Sequence, residues 1–194
     1  MDPIQSINIK KDTSFAMLLD AQSRGYELTY MEMSDLYIDN GKPMASMRAL
    51  KVVKDPNSWF SLGEAKHNNL AEFDVILMRK DPPFDAEFLY ATHIFSLAEQ
   101  AGTLIVNRSQ SLRDFNEKLF TSWFPDLIPD TLVTRNSDLI RAFHQKHQDI
   151  ICKPLDGMGG TSIFRVGPDG TNLGVIIETL TDLGQTYAMF QRYM

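Results

Sequence analysis

The pattern that most constrains this chain is a strand, a helix and a second strand within residues 73–106. Residues 73–78 are a compact apolar run of the β type, residues 86–100 have the apolar spacing of a helix, and residues 103–106 are again apolar. Two strands joined by a helix at this spacing lie parallel in one sheet. The sequence therefore predicts a parallel α/β unit. Such a sheet usually opens with an apolar strand, whereas Asp2-Pro3 suits a turn better, and we expect that an opening strand is missing from the sequence.

A β-hairpin is predicted ahead of this unit. Residues 36–38 and 49–53 are its two strands, and Asn40-Gly41 between them supplies the positive φ angles of a tight turn. Residues 55–69 have no clear strand or helix pattern and are predicted to form a loop. The first half of the chain is thus expected to hold a hairpin, a loop and the parallel unit.

The second half has a different rhythm of elements and is predicted to form a separate α+β domain. A boundary near residues 108–113 divides the chain into an amino-terminal α/β domain, residues 1–112, and a second domain, residues 113–194. The elements predicted in and next to the second domain are helices at residues 112–123, 137–146 and 173–180, and strands at residues 131–134, 149–153, 162–166 and 187–191.

A glycine-rich segment follows one of these strands. Lys153 ends the strand, and Gly157, Gly159 and Gly160 come soon after it. Glycines leave the backbone open to close approach, so that successive amide N–H groups can surround a phosphate. The segment lacks the Walker and Rossmann glycine patterns. A flexible hairpin turn preceded by an ordinary surface lysine is the alternative that the spacing leaves open.

A second lysine is a candidate for the same phosphate. On the predicted helix at residues 112–123, Arg113 and Glu117 are four residues apart and are expected to pair. Lys118 then projects separately and could reach a phosphate. A solvated helix lysine is the alternative, since lysine side chains are mostly exposed.

Charged residues follow the first strand of the parallel unit. Arg79, Lys80 and Asp81 lie at its carboxyl end, the edge at which open α/β sheets gather ligands, and the two cations could hold a substrate carboxylate. In the alternative, Asp81 or Asp85 caps the following helix and the adjacent prolines set its first turn.

Composition narrows the classes of function. The net charge is −6, and the basic residues are dispersed, which argues against nucleic-acid binding and favours small-molecule partners. Cys152 is the only cysteine, and the four histidines show no spacing typical of a metal site. No run of about 18 apolar residues suggests a membrane span. We therefore expect a cytoplasmic protein with no membrane partner.

Taken together, four segments resemble bacterial glutathione synthetase, a family of the ATP-grasp superfamily. They are residues 78–85 (MRKDPPFD), 107–114 (NRSQSLRD), 116–118 (NEK) and 153–160 (KPLDGMGG). The resemblance extends over essentially the whole chain. It implies that residues 1–112 are the amino-terminal α/β domain of the family and that residues 113–194 are the first half of an ATP-grasp domain.

The resemblance also implies roles for particular residues. Lys118 and Lys153 match the family's two phosphate-binding lysines, and Gly157, Met158, Gly159 and Gly160 match its small glycine-rich loop. The residues at the end of the chain, Gln191, Tyr193 and Met194, match the hinge that binds adenine. Arg79, Lys80 and Asp81 remain the candidate substrate-binding residues.

The implied activity is ATP-dependent ligation. In the family, ATP phosphorylates the cysteinyl carboxylate of γ-glutamylcysteine, and the amine of glycine attacks the acyl phosphate to give glutathione. The resemblance further implies Mg²⁺ as a cofactor, with ligands beyond Met194, and a homotetramer. We therefore expect this chain to be an inactive fragment, with no catalytic residue or metal ligand of its own. Another ATP-grasp amino-acid or peptide ligase, or a non-catalytic nucleotide-binding module, is the alternative.

Overall fold

The computed structural model describes residues 1–80, 83–157 and 159–194. These residues form two compact units, which divide between Arg113 and Asp114. The first unit holds residues 1–80 and 85–113, and the second holds residues 83–84 and 114–194. The predicted boundary, between residues 1–112 and 113–194, lies one residue before this division. Whether the two parts are separate domains is tested by whether each part folds by itself.

A four-stranded antiparallel sheet forms much of the first unit. Its central strand β3 (Lys42–Val52) pairs with β1 (Leu28–Tyr30) and β2 (Leu36–Asp39) on one side and with β4 (Phe60–Asn69) on the other. Helix α1 (Thr13–Ser23) begins at the N-cap Asp12 and packs against β3. The predicted turn and first strand of the hairpin are confirmed: β2 and β3 are joined through Asn40 and Gly41, whose φ angles are 48° and 78°. The predicted second strand at residues 49–53 is wrong in its start, because β3 begins at Lys42 and β2 pairs with residues 42–45.

The prediction of a loop at residues 55–69 is wrong, because residues 60–69 form β4. This strand pairs with β3 from Met44↔Asn69 to Val52↔Phe60. Its side chains at Glu64, Lys66 and His67 are exposed. The strand is therefore stabilised through its backbone hydrogen bonds to β3 and has little of the apolar alternation that identifies a half-buried strand.

The parallel unit is confirmed. Strands β5 (Val75–Leu77) and β6 (Leu104–Val106) pair in parallel, and α2 (Ala86–Gln100) connects them. The Asp85 side chain caps α2 by accepting a hydrogen bond from the Phe88 amide, and Gly102 with φ 111° follows the helix. Apolar side chains from this unit and from β3 form one core cluster, which includes Ala45, Met47, Ile76, Phe95, Ala98 and Ile105.

The second unit is built on another antiparallel sheet, whose strand order is β7-β10-β8-β9. The strands are β7 (Thr131–Thr134), β8 (Ile150–Pro154), β9 (Phe164–Val166) and β10 (Ala188–Arg192). Helices α4 (Ser137–His147) and α5 (Leu173–Thr181) cover one face, where their apolar side chains pack with those of the strands. This core contains Ile140, Ile150, Cys152, Val166, Ile176, Ile177, Ala188 and Phe190.

Strand alternation sends a different set of side chains to the other face of this sheet. We call this face the lysine face, and its members are Val133, Ile151, Lys153, Arg165, Met189 and Gln191. Lys153 belongs to it because its neighbour Cys152 is buried in the core on the helix side. Burial also raises the pKa of the Cys152 thiol to about 12, so this cysteine is a protonated core side chain.

The predicted helix at residues 112–123 is wrong in its continuity. The chain forms a short helix α3 (Ser109–Asp114) and, after a break, a 3₁₀ turn at Leu119–Trp123. The Asn116 side chain starts this second turn, because its Oδ1 accepts hydrogen bonds from the amides of Lys118 and Leu119 at 3.0 and 2.8 Å. The predicted Arg113–Glu117 pair is therefore wrong as well: Arg113 donates to hydroxyls on α2, and Glu117 pairs with Lys118.

Candidate functional site

Lys153 lies near the carboxyl end of β8, opposite Met189 of β10. Its side chain is partly buried, and among the described residues it has no hydrogen-bond or ion-pair partner. Burial lowers the pKa of Lys153, and repulsion from the ammonium of Lys118 lowers it further. When an anion binds beside a desolvated cation that has no counter-ion, the cation is stabilised. Lys153 therefore has the electrostatics of an anion-binding residue.

Lys118 lies next to the glycine-rich segment, although not as a helix residue that projects separately. Its ammonium donates to the backbone oxygens of Gly157 at 2.7 Å and Leu155 at 3.3 Å, and it pairs with Glu117 at 2.9 Å. The side chain is 16% exposed. The Asn116 amide also donates to Leu155 O. Residues 116–118 therefore hold the start of the glycine-rich segment against the turn that carries Lys118.

The glycine-rich segment has a backbone that only glycine adopts easily. The φ angles of Gly157, Gly159 and Gly160 are 88°, 69° and 78°, and Ser162 follows with 59°. A side chain added at any of the three glycines would meet open space, so the requirement for glycine comes from the backbone angle and not from crowding. The strand predicted at residues 162–166 begins only at Phe164, because the positive φ angle of Ser162 does not belong to a β-strand. Met158, which is part of the predicted loop, lies outside the described residues.

The amide groups of this segment are available as donors. The N–H groups of Gly157, Gly159 and Gly160 donate no hydrogen bond to any residue that the structure describes. Successive unpaired amides in a turn with positive φ angles are suited to an anion. The segment, Lys118 and Lys153 thus bring two ammonium groups and several amide donors to one part of the second unit.

The residues predicted to bind adenine lie at the end of β10. Gln191 is on the lysine face, and its side chain donates to the Thr131 hydroxyl at 2.9 Å. The Tyr193 amide donates to Asp149 O at 2.9 Å, while Met194 is 81% exposed and its amide has no partner among the described residues.

The predicted substrate residues belong to the first unit. Arg79 donates to the hydroxyls of Ser14 and Thr13 at 3.0 and 3.2 Å, neither of which neutralises its charge. Lys80 forms an ion pair with Asp2 at 2.6 Å. Asp81 lies outside the described residues. Of Arg79 and Lys80, Arg79 has the positive charge that is less compensated by its partners.

Within the described part of the chain, no three His, Cys, Asp or Glu side chains are grouped so that they could hold a metal ion. We assign no ligand of Mg²⁺ among these residues. A separate observation concerns membranes: none of the described helices combines the length and the apolar character that a bilayer crossing requires.

Sequence reasoning did not single out Arg165, a member of the lysine face, or its partner Asp149. Arg165 on β9 binds the Asp149 carboxylate with two hydrogen bonds, and its guanidinium lies 3.7 Å from the centre of the Tyr193 ring. The alternation of β9 could have suggested the face of Arg165. The register between β8 and β9 was needed to place it beside Asp149.

Two family models match the chain. The model for the prokaryotic glutathione synthetase N-terminal domain matches residues 1–113, and the model for the prokaryotic glutathione synthetase ATP-grasp domain matches residues 117–194. The chain is 64% identical to the glutathione synthetase of Shewanella oneidensis over 194 residues and 63% identical to that of Escherichia coli K12. These matches cover 100% of this chain but only 62% and 61% of those proteins.

Solved structures share the fold at low sequence identity. The ATP-grasp ligase PsnB, in a complex with its minimal precursor, Mg and ADP, superposes with a TM-score of 0.55 at 15% identity. The superposition covers 95% of this chain and 63% of PsnB. The likeness identifies a mixed α/β chain with an ATP-grasp fold.

Proposed function

This chain belongs to the prokaryotic glutathione synthetase family, and from that premise we propose that its full-length gene product is an ATP-dependent carboxylate–amine ligase. The proposed reaction joins γ-glutamylcysteine to glycine and releases ADP and phosphate. The chain spans 62% of the length of the relative from Shewanella oneidensis. The reaction, its substrates and its partners are therefore attributed to the full-length gene product.

One observation carries the nucleotide part of this proposal. The second unit brings together Lys118, Lys153 and the amides of the glycine-rich segment. Among the described residues, neither these amides nor the desolvated Lys153 ammonium has a partner. Phosphate groups carry the charge that such a cation lacks, and the amides add donors that cost no reorganisation. We propose that Lys118, Lys153, Gly157, Gly159 and Gly160 bind the phosphates of ATP, and Met158 is proposed with them from the family motif.

The chemistry proposed for this site is phosphoryl transfer to a carboxylate, in which charge stabilisation and positioning supply most of the rate. The ammonium groups of Lys118 and Lys153 offset negative charge on the phosphates. Lys118 must exchange its carbonyl contacts at Leu155 and Gly157 for phosphate oxygens, and this frees the start of the glycine-rich segment to move. The segment can then cover the reacting group and exclude water that would hydrolyse the acyl phosphate.

Mg²⁺ is proposed as the metal partner of ATP, in which role it would neutralise phosphate charge. Gln191, Tyr193 and Met194 are proposed to bind the adenine end.

On the substrate side, we propose that Arg79, Lys80 and Asp81 bind γ-glutamylcysteine. Arg79 is the best supported of the three because its hydroxyl partners leave its charge available for a carboxylate. Lys80 would have to share its ammonium between Asp2 and the substrate. A cytoplasmic location and a homotetramer also belong to this proposal, the first in line with a single buried, unpaired cysteine.

The test is a substrate survey of the full-length gene product with ATP and Mg²⁺. We expect ADP and glutathione to form from γ-glutamylcysteine and glycine. Other dipeptides and amino acids should turn over at least about 100-fold more slowly, because a site that binds specific polar groups rejects analogues without them. ADP formation with another substrate while γ-glutamylcysteine is inert would refute the proposed reaction but keep the ligase class.

A further inference from the structure

Arg165, Asp149 and Tyr193 form a closed set of contacts on the second unit. The guanidinium of Arg165 donates to both carboxylate oxygens of Asp149, at 3.1 and 2.8 Å. The same guanidinium lies over the Tyr193 ring at 3.7 Å, and the Tyr193 amide donates to the Asp149 backbone oxygen at 2.9 Å. Each residue of the three therefore contacts the other two.

The sheet register explains how the three residues meet. Arg165 on β9 lies opposite Ile151 of β8, and Asp149 comes two residues before Ile151. On the other side of β8, Arg192 pairs with Ile150, so that the next residue, Tyr193, is level with Asp149. Arg165 thus reaches across the start of β8 to the residue that follows β10.

The exposure of the contact argues against a role in global stability. The Arg165 side chain is 54% exposed and that of Asp149 27%, and the contribution of a partly exposed ion pair to the free energy of unfolding is modest. The hydrogen bonds from Arg165 lower the pKa of Asp149, so the carboxylate stays charged at neutral pH. The contacts do involve both the ring and the backbone of Tyr193, the residue before Met194.

We infer that Arg165, held by Asp149, is a positioning residue that fixes Tyr193 for the adenine ring and so determines nucleotide affinity and the preference for adenine. This inference rests on the proposed function, in which residues 191–194 bind adenine. Arg165 needs no contact with the nucleotide for this role. It acts by restricting Tyr193, because a preorganised ring loses less freedom when a ligand binds.

The test uses two substitutions and a matched control in the full-length gene product. Arg165→Met keeps the aliphatic stem and removes the guanidinium, whereas Arg165→Lys keeps the charge without the planar group. The control is Arg24→Met in the first unit, since Arg24 follows α1, is 66% exposed and forms a 2.8 Å ion pair with Asp20 of that helix. Steady-state KM for ATP and for γ-glutamylcysteine, kcat, Tm and the Kd ratio for ATP and GTP are measured for each.

We expect Arg165→Met to raise KM for ATP and lower the ATP preference by about three- to fivefold, because a Tyr193 side chain that is no longer restricted must be ordered when the nucleotide binds. The values of kcat, KM for γ-glutamylcysteine and Tm should stay within error, as should every parameter of Arg24→Met. Arg165→Lys should recover part of the loss.

An unchanged KM for ATP in Arg165→Met, or a fall in Tm that accounts for the change, would overturn the inference. Binding of ATP and GTP is measured at equilibrium so that failures can be told apart. Tight ATP binding that Arg165→Met leaves unchanged rejects the positioning role alone. Absence of ATP binding by the unsubstituted protein rejects both this inference and the proposed function.

Discussion

The cations of the two units are held in different ways. In the first unit, Lys80 is paired with a carboxylate and Arg79 with two hydroxyls. In the second unit, Lys153 is desolvated without a partner among the described residues, and Lys118 contacts backbone oxygens that a ligand can replace. A cation with a fixed partner stabilises local structure. An uncompensated cation is unfavourable in the ligand-free protein and is stabilised when an anion binds. The difference predicts which substitutions affect the nucleotide and which affect the fold.

The largest effect is expected from Lys153→Met in the full-length gene product. Loss of this charge should lower kcat by about 100-fold or more, which is the usual cost of removing one group that stabilises developing charge. The matched control is Lys146→Met, because Lys146 is exposed on α4 and on the helix side of the sheet. Equal losses in the two variants would show that the lysine face has no special role.

Arg79→Met is the corresponding test in the first unit. It should raise KM for γ-glutamylcysteine by about tenfold, as expected for loss of a charge-assisted hydrogen bond, and leave KM for ATP unchanged. Lys80→Met should have a smaller effect, because its charge is already compensated by Asp2. If Arg79→Met weakened ATP instead, the division of labour between the two units would be wrong.

A pair of glycine substitutions sharpens the contrast between a structural turn and a binding turn. Gly41 in the β2–β3 hairpin and Gly159 in the glycine-rich segment have φ angles of 78° and 69°, and both have open space for a Cβ atom. Alanine at either position is strained by about 1 kcal/mol.

Gly41→Ala should lower Tm without changing the Kd for ATP. Gly159→Ala should weaken the binding of ATP by about fivefold, with a smaller change in Tm. The backbone strain lies in the glycine-rich segment, which must become ordered when ATP binds. Thermal melts with and without ATP separate the two outcomes, and identical profiles for both variants would contradict the distinction.

The smallest effect concerns stability and pH. Because the folded-state pKa of Lys153 lies below the ordinary value of 10.5, the folded protein binds fewer protons than the unfolded chain as pH rises through the lowered pKa. The contribution of Lys153 to stability is therefore unfavourable at neutral pH and is relieved as pH rises toward 10.5. Lys153→Met should raise Tm at neutral pH by about 1–3 °C although it lowers kcat. A drop in Tm would show that the charge is compensated in the fold.

Sequence patterns predicted the regular elements well where local signals agree. The bounds of α2 match the prediction of residues 86–100, because Asp85 caps its start and Gly102 ends it. The sequence patterns failed to predict structure that depends on backbone pairing or on a single side chain. β4 has exposed polar side chains and exists through its pairing with β3, and Asn116 interrupts a segment whose composition is otherwise helical.

The candidate site was predictable in part for the same reasons. Alternation with the apolar Cys152 indicates that Lys153 points away from the core, and the glycines indicate a turn with positive φ angles. The contact of Lys118 with Gly157 O joins residues 39 positions apart, and that of Arg165 with Asp149 depends on the register across the glycine-rich turn. Neither spacing nor composition contains this long-range information.

We propose that Lys153 and the glycine-rich segment form the phosphate end of an ATP site. Equilibrium titration of ATP and adenosine into the unsubstituted full-length gene product and into Lys153→Met tests it most directly. Loss of one ammonium–phosphate contact should weaken ATP by about 10- to 100-fold and leave the Kd for adenosine unchanged. Equal weakening of both ligands, or no weakening of ATP, would contradict the claim.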